Sequence, residues 1–168
     1  TADSAVVVMH DADLMRLARS PLKIWESTTE QIAGVDIGRW FAPQFAGERV
    51  PTLESVLLRC KGRAKVVIEL KYYGHDQRLE ERVAEIVERT GMQDQISVMS
   101  LRYEMVRKMK SLRPNWTVGL LTATAVGKLA GMEGDFLAVS TGMATPARVR
   151  AAHAAGKKLF VWTVDDPM

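Results

Sequence analysis

Six short apolar runs, separated by amphipathic stretches, constrain the possible folds of this chain more than any other feature. They are Ala5–Met9, Lys65–Leu70, Gln95–Met99, Trp116–Leu121, Asp135–Val139 and Lys158–Thr163. Each has strand length and is built largely from Val, Ile, Leu and aromatic residues. The stretches between them carry helix signals. Asp76 is a predicted cap for a helix with the apolar stripe Leu79, Val83, Ile86 and Val87, closed by Gly91. Thr145-Pro146 opens another that Gly156 ends. Leu101, Met105, Val106, Met109 and Leu112 form a third stripe, stopped by Pro114, and Thr52 opens a shorter helix through Leu53, Val56 and Leu57. Strands alternating with helices predict a parallel sheet with helical crossovers.

Chemistry enters at the ends of two of these runs. Val66-Val67-Ile68-Glu69-Leu70-Lys71 reads as a strand buried on both faces that finishes in two opposite charges. Residues two apart on a strand point to the same side, so Glu69 and Lys71 share a face. A buried acid and base occur together when they pair, bind a metal, or meet a charged ligand. The run Val6–Met9 finishes in His10-Asp11, whose side chains would point to opposite faces of a strand. Ionisable residues at the carboxyl ends of hydrophobic strands suggest the active face of a (β/α) barrel.

The 168 residues suffice for one domain with a sizeable core and are short for two. A charged fraction of 26% and a net charge of +3 describe an ordinary soluble profile. Basic residues are interleaved with acids, and no basic stripe with exposed aromatics points to nucleic acid. The densest positive patch, Arg107, Lys108, Lys110 and Arg113, reads as a solvated helix face. Cys60 is the single cysteine, which rules out an internal disulfide and a thiolate metal cluster; it reads as a half-buried structural thiol. No apolar stretch is long enough to span a bilayer. The segment from about 13 to 51 departs from the alternation. It places Trp25, Trp40, Phe41 and Phe45 among Gly and Pro residues, with a helix expected near 28–35, and reads as a functional insertion.

A closed barrel needs eight strands and about 250 residues. Six are counted here, so the expectation is an α/β chain forming an incomplete TIM barrel, residues 1–168 being part of something larger. The first residue, Thr1, fits an end that is processed, trimmed or internal. The order of the motifs resembles the glycerophosphodiester phosphodiesterase family of the phosphatidylinositol-specific phospholipase C-like superfamily. Thr1-Ala2-Asp3-Ser4 is similar to its T-x-D-G turn, and Val6–Asp11 to its strand ending in His-Asp. Leu14 and Arg16 match L-x-R, Asp36–Phe41 match D-x-G-x-W-F, and Pro51–Glu54 match P-T-L-E. Ile68–Lys71 match I-E-x-K, Ser100-Leu101 resemble Ser-Phe, and Trp162–Asp165 resemble W-T-V-N. The family's H-R-G and E-x-D strands, which supply a catalytic histidine and two metal-binding carboxylates, have no counterpart here. The six runs would then be strands three to eight.

The resemblance implies a hydrolase that cleaves glycerophosphodiesters to glycerol 3-phosphate and an alcohol with the help of a divalent metal, Mg²⁺ or Ca²⁺. Such a cation offsets phosphoryl charge, and a histidine suits proton transfer near neutral pH. By resemblance His10 is one of two catalytic histidines, Glu69 a metal ligand and Lys71 a contact to phosphate oxygen. Without the missing carboxylates Glu69 should bind metal poorly, and this chain alone should be inactive. Ser100 either donates to the substrate or caps a strand end. Trp162 either walls the pocket or is buried in the barrel. Trp40 and Phe41 either line an entrance or close the insertion's own core. His75 and His153 are assigned no role, and Asp11 a structural one. The other readings are a catalytically dead barrel serving as a binding or assembly module and, more distantly, a metal-independent phospholipase C chemistry. Open sheet edges imply self-association. Compartment leans weakly to the cytoplasm, with a secreted or membrane-attached parent left open.

Overall fold

A computed structural model describes residues 1–73, 78–124 and 129–165. The expected cap Asp76 and the neighbouring His75 lie outside the described residues. The chain divides into two compact units, one formed by Thr1–Gly62 and Tyr72–Gly91, the other by Arg63–Lys71 and Met92–Met168.

The second unit is built on five parallel strands in the order of the sequence: β1 (Val66–Glu69), β2 (Ile96–Ser100), β3 (Val118–Thr122), β4 (Phe136–Ser140) and β5 (Lys158–Trp162). Five of the six expected runs are therefore strands. Three of them, β2, β3 and β4, end one residue later than the apolar pattern alone suggests, because a terminal Ser or Thr still belongs to the strand. The helix α5 (Tyr103–Leu112) packs on β2 and β3 and buries Met105, Val106 and Met109. Leu101 does not belong to that stripe; it lies in the preceding turn, 56% exposed. The helix α6 (Pro146–Ala154) is capped by the Thr145 hydroxyl and packs on β5. The basic face expected on α5 is only partly solvated. Lys110 Nζ donates to the carbonyls of Pro114 (2.7 Å) and Trp116 (3.2 Å) and pairs with Asp135, while Arg107 pairs with Glu133 at 3.3 Å.

One close approach sets the spacing of the middle strands. Gly119 of β3 stands opposite Phe136 of β4, and a Cβ at this glycine would lie 2.4 Å from the Phe136 ring. The ring fills the place of a side chain there. It is 1% exposed and meets Phe160 of β5 with centroids 4.9 Å apart.

The first unit is helical and irregular. Its short helices α1 (Met15–Ala18) and α2 (Thr29–Ala33) are followed by α3 (Leu53–Cys60) and α4 (Leu79–Thr90). Sequence explains the ends. Thr28 and Gln31 form a reciprocal capping box on α2, the Thr52 hydroxyl accepts from Ser55 N–H to start α3, and Gly91 ends α4 with φ 66°. Helices α3 and α4 pack together, and Arg89 of α4 pairs with Glu54 of α3 at 2.9 Å.

The run Ala5–Met9 is not a strand of the sheet, which corrects the sixth assignment. Val7 forms an isolated antiparallel bridge with Thr52, supported by Val8 N–H to Pro51 C=O (2.9 Å) and Leu53 N–H to Val6 C=O (2.9 Å). Its apolar character serves another purpose. Val7 and Met9 pack on a small core of Leu14, Ile32 and Val50, joined by Leu22, Ile24, Val35 and Ile37. The insertion thus has its own core, and Trp40 and Phe41 are not in it: they are 53% and 69% exposed.

Candidate active site

Parallel strands present all their carboxyl ends at one edge of a sheet. In the second unit that edge carries Glu69 and Lys71 after β1, Ser100 at the end of β2, Thr122 of β3, Ser140 of β4 and Trp162 of β5. Thr122 and Ser140 escaped the motif-based reading. Their signal was available, because each is the polar residue that terminates an apolar run.

Glu69 and Lys71 share a face, as the two-residue repeat requires, and Lys71 Nζ lies 3.6 Å from Glu69 Oε1. Their side chains retain 22% and 16% exposure, so the pair is partly shielded from water and still reachable. The expectation that β1 is buried on both faces is not met. Ile68 and Leu70 are buried, but Val67, on the face of the charge pair, is 53% exposed. The charged pair therefore sits on a face that is open at Val67 and only partly covered at Glu69 and Lys71.

Ser100 is 1% exposed, and its hydroxyl is used locally. It makes contacts with Leu70 C=O (3.0 Å) and Met105 Sδ (3.2 Å) and accepts from Arg102 N–H (3.1 Å). That pattern braces the end of β1 against the start of α5; of the two roles expected for Ser100, the cap is the one displayed. Trp162 keeps 37% exposure, so it is not packed away in a core. Three strands stand between it and Glu69 along the sheet.

His10 belongs to the first unit, where the chain bends after Met9. The bend overturns the expectation that Asp11 points away from it. Asp11 Oδ1 lies 2.8 Å from His10 Nδ1, and Asp11 Oδ2 accepts from Arg16 Nε at 2.6 Å. The bonds from His10 and Arg16 hold the Asp11 carboxyl below its ordinary range. The His10 carbonyl accepts from Tyr73 Oη–H at 3.0 Å, and the Tyr73 ring stacks on Trp25 with centroids 6.4 Å apart.

The D-x-G-x-W-F segment is organised by one carboxylate. Asp36 accepts from the N–H groups of Arg39 (3.0 Å), Gly47 (2.8 Å) and Gly38 (3.0 Å), which together hold it well below the usual range. Gly38 permits this because a Cβ there would sit 2.1 Å from the Phe45 carbonyl oxygen. A carboxyl depressed on folding stabilises above its unfolded value near pH 4 and loses that contribution as pH falls below it. The stability gap between the wild type and Asp36→Asn should therefore be widest above pH 4 and shrink toward pH 2. Urea melts followed by tryptophan fluorescence check this; a gap independent of pH would contradict it.

Among the described residues no group of three or more His, Cys, Asp or Glu side chains is arranged to hold a metal ion. Glu69 offers one carboxylate, already paired with Lys71, whereas Mg²⁺ or Ca²⁺ takes six or more oxygen ligands. These residues alone do not fit the ion. No helix among them is long and apolar enough to cross a membrane.

Comparison with known proteins decides the relationship. The model of the glycerophosphoryl diester phosphodiesterase family matches residues 1–168. The chain belongs to the glycerophosphoryl diester phosphodiesterase family. A glycerophosphodiester phosphodiesterase of Caldanaerobacter subterraneus subsp. tengcongensis is 29% identical over 98% of this chain and 70% of its own length. The crystal structure of a glycerophosphodiester phosphodiesterase from Agrobacterium tumefaciens superposes with TM-score 0.79 at 28% identity, covering 96% of this chain and 69% of that one. A phosphodiesterase from Oleispira antarctica, solved with the product sn-glycerol-3-phosphate, superposes with TM-score 0.87 at 22% identity over 99% and 70% of the two chains. The five-stranded sheet and its helices are thus an incomplete α/β barrel of this phosphodiesterase family.

Proposed function

We propose that this family member takes part in hydrolysis of glycerophosphodiesters to glycerol 3-phosphate and an alcohol. The observation that carries the reading is Glu69 and Lys71 on one accessible face at the carboxyl edge of the parallel sheet. Its support is the family match over residues 1–168 and the glycerol 3-phosphate bound to a relative of the same fold. In this reading His10 transfers a proton, either to the leaving alkoxide or from the attacking water. Lys71 meets a phosphoryl oxygen as a point charge. Trp162 walls the glycerol end of the substrate. Ser100 serves by holding the strand end rather than by touching the substrate.

Metal assistance by Mg²⁺ or Ca²⁺ belongs to the proposal only when further carboxylates join Glu69, so no step is assigned to it here. The 168-residue chain by itself should release no glycerol 3-phosphate from glycerophosphocholine with either cation. A protein that joins it to a strand pair bearing H-R-G and E-x-D should do so. Turnover by the chain alone, lost in His10→Ala, would overturn the division of labour.

The second reading, a binding or assembly module without catalysis, is favoured by the lack of a metal-holding cluster among the described residues. It shares one expectation with the first. The edge strand β5 exposes Phe160 (44%), Val161 (39%) and Trp162 (37%), and unpaired apolar edges recruit further strands. The isolated chain should elute from size-exclusion columns as a dimer or larger, with the Phe160→Lys variant shifted toward monomer; a wild-type monomer at all concentrations would contradict this.

A further inference from the structure

We propose that Asp11 and Arg16 form a positioning arm that sets the tautomer of His10, keeping the proton on Nδ1 so that Nε2 is the nitrogen that exchanges a proton with the substrate. The inference deepens the functional reading above and rests on His10 being its proton-transfer residue.

The geometry assigns each atom a role. An ionised carboxylate only accepts, so the 2.8 Å contact between Asp11 Oδ1 and His10 Nδ1 requires the hydrogen to be on Nδ1. The other carboxylate oxygen is taken by Arg16 Nε at 2.6 Å. Two donors on two oxygens fix the plane of the carboxylate, and through it the plane of the imidazole. In the acid direction the Nε2 proton passes to the alkoxide oxygen of the leaving alcohol, and the ring is left neutral with its hydrogen still on Nδ1. In the base direction the Nε2 lone pair takes a proton from water and the ring becomes a cation beside Asp11.

What holds the arm is visible in the chain around it. Leu14, with no exposure, anchors the segment in the small core of the first unit. Asp13 Oδ1 accepts from Met15 N–H at 2.9 Å and starts the turn of α1 that carries Arg16. The Arg16 guanidinium then lies 5.8 Å from the centre of the Trp40 ring. The L-x-R motif thus acquires a physical meaning: the leucine buries the turn and the arginine reaches back to the aspartate. The residues are exposed enough (55% for Arg16, 25% for Asp11) that the ion pair contributes little to stability. Orientation is what it supplies.

The test is the tautomer itself, read by long-range ¹H–¹⁵N correlations of the imidazoles in the 168-residue chain above pH 8. The chain has three histidines, and the His10 signal is identified by its loss in His10→Gln. Wild-type His10 should be mainly the Nδ1–H form. Asp11→Ala should invert the ratio toward Nε2–H, the form an unrestrained histidine prefers, and Arg16→Ala should move it part of the way. Amide spectra report whether each variant is folded; if Asp11→Ala is not, Arg16→Ala carries the test. Mainly Nε2–H in the wild type, or a ratio unmoved in the folded variants, would overturn the arm. In the protein joined to H-R-G and E-x-D, Asp11→Ala should lower kcat about 10- to 100-fold, the loss typical of removing an orienting partner, with KM changed less than twofold. An Nδ1–H wild type whose His10→Ala variant still hydrolyses substrate would overturn the catalytic reading instead and leave the arm as found.

Discussion

His10→Ala, in a protein joining this chain to the H-R-G and E-x-D segments, is expected to lower kcat for glycerophosphodiester hydrolysis by about 10²- to 10⁴-fold, the range a positioned general acid or base supplies. The alkoxide of an alcohol is a poor leaving group, so losing its proton donor falls on the bond-breaking step. KM should change little, because the imidazole contributes to the transition state rather than to ground-state binding. The substitution should also leave the fold intact. The His10 side chain is 73% exposed, so its loss leaves little buried space unfilled. Steady-state kinetics on glycerophosphocholine check this. A variant within tenfold of the wild type would remove His10 from the chemistry.

The second large effect concerns the scaffold. Phe136→Ala should destabilise the sheet by about 3–5 kcal/mol, the cost of deleting a buried aromatic ring and leaving a cavity. Phe136 is 1% exposed, covers Gly119 on β3 and meets Phe160 on β5, so three strands lose a common contact. The reciprocal change, Gly119→Ala, forces a methyl into a place 2.4 Å from the ring and should cost about 1–3 kcal/mol by overpacking. Combining the two should cost less than their sum, because the added methyl enters space the ring has vacated. Urea denaturation of the three variants measures this. Additive losses, or a Phe136→Ala variant within about 1 kcal/mol of the wild type, would contradict the packing described.

The sheet was legible because burial writes itself into composition. Ile68, Val98, Val118, Leu120, Leu137 and Val139 are apolar for the same reason that they are buried. Helix ends were legible where a single side chain acts locally, as at Thr28, Thr52 and Thr145. Failures occurred where one apolar pattern serves two different purposes. Val7 and Met9 alternate as a strand would, yet they alternate to reach the Leu14 core, and among the described residues Val7 makes an isolated bridge to Thr52 and joins no ladder. Asp11 turns toward His10 for the same reason. Alternation predicts opposite faces only while the backbone stays extended, and here it bends at His10.

The site was legible to the same degree. Glu69 and Lys71 lie two apart on a true strand, so the repeat of two brought them together as read. The sequence could not show that Val67 on the same face would be 53% exposed, since what packs on a strand face is not set by the residues of the strand itself. Ser100 shows the opposite limit. A serine at a strand end has the same signature whether it meets a ligand or, as here, the Leu70 carbonyl.

The proposed place of hydrolysis is the carboxyl edge of the sheet. Its most direct test is release of glycerol 3-phosphate from glycerophosphocholine by the joined protein and by its Glu69→Gln variant, which keeps the shape of the side chain and removes its charge. The predicted result is a loss of kcat/KM of at least about 100-fold, with the folded state unchanged by circular dichroism. Wild-type turnover in Glu69→Gln would place the chemistry elsewhere.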